Sequence, residues 1–200
     1  RGGRDPGTST AFFQSFILPG FMRIISGTHG GRKINPPAKM PHTRPTTDIA
    51  KEGLFNIIQN NLEIDELKVL DLFGGTGAIS YELASRGATD ITTIEKDEKM
   101  YDFIKRTAAE LGFTNMRVVK SDVFRFIDST TDQYDFIFAG PPYALTTIDD
   151  LPRKIVEKRL LKPGGWFVLE HTPRNDYKKF EQYKTERNYG TTIFSIFING

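Results

Sequence analysis

Beyond residue 66 the chain alternates short apolar runs with longer stretches whose apolar residues recur every three or four positions. The short runs 67–72, Asp90–Glu95, Met116–Lys120, Tyr134–Ala139, 165–170 and 191–198 read as strands. The stretches 77–86, 97–111, Val123–Ser129 and 149–161 read as helices, and Gly112 stands where a helix C-terminus favours glycine. This β-α-β-α rhythm predicts an α/β fold, a mainly parallel sheet with helices on both faces. No helical pattern separates 183–187 from 191–198, which predicts a closing hairpin with one antiparallel strand. The phenylalanines 124, 126, 136 and 138 alternate as core residues would.

The N-terminal part reads differently. Residues 22–45 hold two short β-like runs about His29-Gly30-Gly31, followed by a proline-rich loop. The paired glycines permit a hairpin turn, with Arg32 and Lys33 near its tip or on its returning strand. Residues 47–62 read as a helix capped by Thr47 or Asp48, with Ile49, Gly53, Leu54, Ile57, Ile58 and Leu62 near one face. Met22-Arg23-Ile24-Ile25 looks like a start and residue 1 is not Met, so residues 1–21 are expected to be a leader or remnant without order. Residues 22–62 then form a small hairpin-and-helix extension, and residues 63–200 the main domain.

Hydrophobic residues make up 38% and charged residues 26%, which excludes a disordered chain and fits a soluble globular one. The absence of cysteine excludes a disulfide framework, a thiolate zinc site and a cysteine nucleophile, and it suits a cytoplasmic location. No metal site is expected. No apolar run approaches the length of a bilayer span. The net charge of +2 conceals an asymmetry: residues 1–45 carry +6, from seven basic residues against Asp5, and the remainder −4. A basic arm on a mildly acidic body suits a polyanionic partner.

Candidate chemistry concentrates at strand ends. Val69-Leu70-Asp71-Leu72-Phe73-Gly74-Gly75-Thr76-Gly77 reads as a strand, a glycine-rich turn and the start of a helix. Glycines there let a ligand approach the backbone and leave the helix N-terminus open. Asp71 is unsuited to a phosphate but suited to a ligand bearing an amino group or a sulfonium. Glu95, ending the next strand beside Lys96, can accept ribose hydroxyls. Asp122 could accept from an adenine amine while Val123 packs on the ring; capping the helix that follows is the competing role for both acids. After the fourth strand, Gly140-Pro141-Pro142-Tyr143 forms a rigid turn with outward carbonyls, followed by an aromatic able to stack on a base.

Together these residues resemble the bacterial 16S rRNA guanine-966 N2-methyltransferases. The resemblance runs from Met22 to the C-terminus. It is carried by Met22–Gly27, Gly31-Arg32-Lys33, Arg44-Pro45-Thr46-Thr47-Asp48, Glu52 with Leu54-Phe55-Asn56, Val69–Gly77, Ser85-Arg86-Gly87-Ala88 and Pro141-Pro142-Tyr143. It implies a Rossmann-like class I methyltransferase fold with a seven-stranded mixed sheet, S-adenosylmethionine as cofactor and 16S rRNA as partner, free or within the small ribosomal subunit; we expect a monomer. Asp71 through Gly77 would hold the methionine part, Glu95 with Lys96 the ribose, and Asp122 with Val123 the adenine. Gly140 through Tyr143 would hold the target base, and Arg32, Lys33, Arg44 and Thr46 would contact RNA. The family turn ordinarily begins with Asp or Asn, whose oxygen accepts from the target amine. Here that position is Gly140, leaving the carbonyls of Gly140 and Pro141 as acceptors, and restoring Asp at 140 is expected to raise turnover. Two alternatives stay open: a DNA adenine-N6 methyltransferase, and a catalytically weakened rRNA-binding or assembly module. A nicotinamide oxidoreductase lacks an acid or base for hydride transfer, since His29 and His42 sit in the arm and His171 reads as structural.

Overall fold

The computed structural model describes residues 22–39 and 46–200. The proposed leader 1–21, together with His42 and Arg44, lies outside the described residues. In chain order the elements are β1 (Met22–Arg23), β2 (Lys33–Ile34), α1 (Asp48–Asn61), β3 (Lys68–Asp71), α2 (Ala78–Ser85), β4 (Asp90–Glu95), α3 (Glu98–Glu110), β5 (Met116–Lys120), α4 (Val123–Ser129), β6 (Tyr134–Ala139), α5 (Asp150–Glu157), β7 (Leu161–His171), β8 (Tyr183–Tyr189) and β9 (Thr192–Ile198).

β3 to β9 form one seven-stranded sheet in the order β5-β4-β3-β6-β7-β9-β8. Pairings from β5 to β7 are parallel, while β9 runs antiparallel to both β7 and β8. The mixed sheet and its closing hairpin are therefore as the pattern predicts. Successive strand residues feed opposite faces. Val69, Phe136 and Phe138 pack with α1, α2 and α3, whereas Leu70, Ile137 and Leu169 pack with α4 and α5. Coverage on both faces is why the central strands read as almost continuous apolar runs.

Three boundaries differ from the pattern. β7 begins at Leu161, because Tyr134 pairs with Leu161 across a bulge before regular register resumes at Phe136 and Trp166. α5 ends at Glu157, where Arg159 adopts a left-handed φ of 52° and the amides of Arg159 and Leu160 turn back onto Val156 and Ile155. Phe124 and Phe126 lie on α4 and are only partly buried, unlike Phe136 and Phe138.

The N-terminal hairpin pairs Met22 with Ile34 and Arg23 with Lys33, and a single 3-10 turn, Gly27–His29, closes it. α1 is capped by Thr47, whose side chain accepts from Ala50 N. Its buried stripe is Ala50, Lys51, Leu54, Phe55 and Ile58; Ile49, expected on that face, is 74% exposed because the stripe starts one residue later. Hairpin and α1 together cover α2, of which Ile79 through Ser85 are all buried.

The contact centres on Glu82, which is fully buried. Its carboxylate accepts from Ile25 N at 2.8 Å, Ser26 N at 3.0 Å and Arg86 Nε at 2.8 Å, and lies 3.4 Å from Lys51 Nζ. Lys51 Nζ also donates to the carbonyl of Arg23. Burial pushes the Lys51 ammonium down from its ordinary range, against the pull of Glu82. Ser85 Oγ donates to Ser26 O and accepts from His29 N. Gly27, at φ 81°, permits this approach, since a Cβ there would stand 1.9 Å from Ser85 O.

Candidate active site

The carboxyl ends of β3, β4, β6 and the loop after β5 surround a cavity of about 710 Å³. Phe73, Gly75, Glu95, Lys96, Asp122, Val123, Gly140 and Pro142 line it, with Phe124 and Leu145 adding apolar wall. A smaller pocket of about 50 Å³ adjoins it, lined by Thr46, Gly74, Thr76, Pro141, Tyr143 and Glu170. Phe73, Gly75, Gly140 and Pro142 line both, so these four residues form the partition between them. A groove of about 700 Å³ runs outward past Tyr143 toward Asn175 and Thr191. Tyr143 is 51% exposed at this junction.

The glycine turn is held by short main-chain bonds. Gly74 N donates to Ile94 O at 2.8 Å and Gly77 N to Gly74 O at 2.7 Å. Gly77, at φ 84°, caps α2, and a Cβ on it would meet the Tyr81 ring at 2.4 Å. Glu95 joins the turn to the next helix: Oε2 accepts from Gly75 N and Oε1 from Asp97 N, both at 2.8 Å. Burial pushes the Glu95 carboxyl up, opposed by the Asp97 and Gly75 amides.

Asp71 and Gly77 line neither cavity; both are buried behind the turn. Asp71 Oδ2 accepts from Ser80 Oγ at 2.7 Å, while Oδ1 is buried without a hydrogen-bond partner. Burial pushes the Asp71 carboxyl up to about 7, against the Ser80 hydroxyl and the nearby Phe73 amide, with Glu95 and Glu170 adding to the rise.

Asp122 serves as a cap as well as a cavity residue. Its Oδ1 accepts from the amides of Phe124 and Arg125, which start α4. The Pro142 carbonyl accepts from Leu145 N and is thereby used within the turn. Arg32 and Lys33 lie exposed on the hairpin and line none of these cavities. Thr46 is not part of an open arm: its hydroxyl donates to Glu170 Oε2 at 2.7 Å at the small pocket's wall. His171 is buried between Thr172 O and Ser195 Oγ, a structural role, and His29 packs edge-on against Phe113.

Glu170 is the site residue that the sequence reading passed over. It lies one residue before the end of β7, beside the turn that follows β6. The signal was positional, since an acid closing the fifth parallel strand belongs to the same row as Asp71 and Glu95. The geometry also revises the expectation for position 140. A Cβ on Gly140 would stand 3.3 Å from Glu170 Oε2 and 3.1 Å from Phe138 Cε1. An aspartate there would set a second carboxylate against the first, so it is not expected to raise turnover.

A five-strand parallel core, an antiparallel inner strand before the last and acids at successive strand ends define a class I methyltransferase fold. A solved structure of a hypothetical protein from Thermus thermophilus shares it with a TM-score of 0.76, covering 88% of this chain and 98% of that one at 24% identity. An RNA methyltransferase from Salinibacter ruber, solved with S-adenosyl-L-homocysteine, shares the fold with a TM-score of 0.61 at 18% identity, covering 78% and 93%. The family described as Conserved hypothetical protein 95 matches residues 22–198. Ribosomal RNA small subunit methyltransferase D of Escherichia coli K12 is 33% identical over 151 residues, 76% of this chain and 72% of that protein. The chain belongs to the ribosomal RNA small subunit methyltransferase D family.

Proposed function

We propose that this protein transfers a methyl group from S-adenosylmethionine to the exocyclic N2 amine of a guanine in small-subunit rRNA. The observation that carries the reading is the partition: a large cavity lined by Glu95 and Asp122 shares Gly140 and Pro142 with a small pocket bordered by Tyr143. A cofactor and a flat base seated on its two sides would meet at that shared wall.

The residues fit the cofactor. Asp71 Oδ1 is a buried acceptor lacking a donor behind the glycine turn, suited to an amino group reached through water. Glu95 and Asp122 retain acceptor capacity beyond the amides they hold, for ribose hydroxyls and an adenine amine, and Val123 offers an apolar contact to the ring. When bound, S-adenosylmethionine supplies an electrophilic methyl group on sulfur. The protein's contribution is placement. The rigid Pro141-Pro142 turn and the Tyr143 ring orient a base at the partition, and such positioning is worth several kcal/mol. Exposed Arg32 and Lys33 on the hairpin, with Arg44, supply charge for RNA phosphates.

The test compares methyl incorporation into free 16S rRNA, small ribosomal subunits and duplex DNA, followed by nucleoside mass spectrometry. N2-methylguanosine formed in rRNA or subunits supports the reading. Label confined to DNA as N6-methyl-2′-deoxyadenosine moves it to the DNA alternative, and cofactor binding with no transfer leaves a binding or assembly module.

A further inference from the structure

We propose that Glu170 is the acceptor that orients the target amine, and that Thr46 positions it. This rests on the methyl-transfer reading above. Among the described residues lining the small pocket, Glu170 is the only carboxylate. An exocyclic amine conjugated to a ring is a weak nucleophile, and an anionic acceptor on one N–H favours the pyramidal form whose lone pair can attack. Gly140 and Pro141 also line the pocket, and their carbonyls are neutral. Glu170 Oε2 stands 3.3 Å from where a Cβ of residue 140 would be, so the carboxylate reaches the head of the Gly140 turn from the neighbouring strand. The Thr46 hydroxyl fixes that oxygen at 2.7 Å.

The balance of the step is simple. The amine nitrogen's lone pair forms the N–C bond, the S–C electron pair remains on sulfur as a neutral thioether, and the surplus amine proton passes to the Glu170 carboxylate and then to water. Gly140 is the complement of this arrangement: with a side chain at 140, the space that Glu170 uses would be contested.

The experiment is steady-state kinetics on the whole protein with rRNA substrate, together with calorimetric titration of S-adenosylhomocysteine. Glu170→Ala is expected to lower kcat about 100-fold while the calorimetric affinity stays within about twofold of wild type. Glu170→Gln is expected to retain more activity than Glu170→Ala, because its amide oxygen still accepts. Thr46→Val is expected to lower kcat more than it changes KM. Gly140→Asp alone is expected to reduce activity through carboxylate repulsion, yet Gly140→Asp combined with Glu170→Ala is expected to recover about tenfold over Glu170→Ala alone. If wild type methylates RNA and Glu170→Ala matches it, the inference fails while the functional reading stands. If Glu170→Ala loses cofactor affinity in proportion to activity, its role is structural and the inference also fails. A wild-type protein that methylates no RNA removes the functional reading and the inference together.

Discussion

Replacing Glu82 by alanine tests whether the N-terminal hairpin is held by one buried carboxylate. Glu82 is fully buried and accepts from two hairpin amides, Ile25 N and Ser26 N, while lying 3.4 Å from the buried Lys51 ammonium. Hydrogen bonds to a charged acceptor contribute about 1.5–3 kcal/mol each. Removing one partner of a buried ion pair costs about 3–5 kcal/mol. These contributions share one side chain and do not add. Burial also lowers the Lys51 pKa, against the pull of Glu82. The expected loss is therefore about 3–5 kcal/mol, a large part of the ~5–15 kcal/mol typical of a folded domain. Urea denaturation gives the total, and hydrogen exchange gives its location. The amides of Ile25, Ser26 and His29 should lose protection before those of α3, because the first two bond to Glu82 directly and the third to Ser85 in the same contact. A loss below about 1 kcal/mol with the hairpin still protected would refute the reasoning.

Two further predictions follow from other sites. Because burial raises the Asp71 carboxyl from an ordinary 3.8 to about 7, the folded protein holds a proton there that the unfolded chain releases. Stability from this group is therefore full below about pH 4 and lost as pH rises through 7, an effect on the order of 4 kcal/mol. Asp71→Asn should abolish that slope, and a difference in Tm between the two proteins that stays flat from pH 4 to 8 contradicts it. Arg32→Ala should weaken rRNA binding and reduce the slope of log Kd against log salt by about one; an unaltered slope takes the hairpin out of the interface.

The strands and helices of the main domain were legible because their burial is periodic. Val69 and Leu70 face opposite layers that are both covered, so the strand reads as an unbroken apolar run closed by the glycine turn. Gly74, Gly75 and Gly77 were equally legible: Gly75 and Gly77 take left-handed backbone at φ 55° and 84°, and a Cβ on Gly74 would stand 2.8 Å from Ile104 Cδ1. What escaped depends on contacts between distant residues. Thr46 and Glu170 are 124 positions apart, and neither belongs to a local pattern. Met22–Gly27 and Ser85-Arg86-Gly87-Ala88 read as separate motifs, yet Ser26, Gly27 and Ser85 are two halves of one contact. The misplacement of Ile49 has the same origin: Lys51 replaces it in the buried stripe, and only its partner on α2 explains a buried lysine.

β9 follows β8 in the chain but lies inside it, between β7 and β8. Until Thr192–Ile198 is in place, β8 has no neighbour and β7 presents an open apolar border. β8 therefore joins the sheet only through β9, and a chain cut short by that one strand loses the pairing of two. Glu170 and His171 sit on that border, opposite Phe194 and Ile193, so the pocket wall beside Tyr143 is braced by the last strand of the chain.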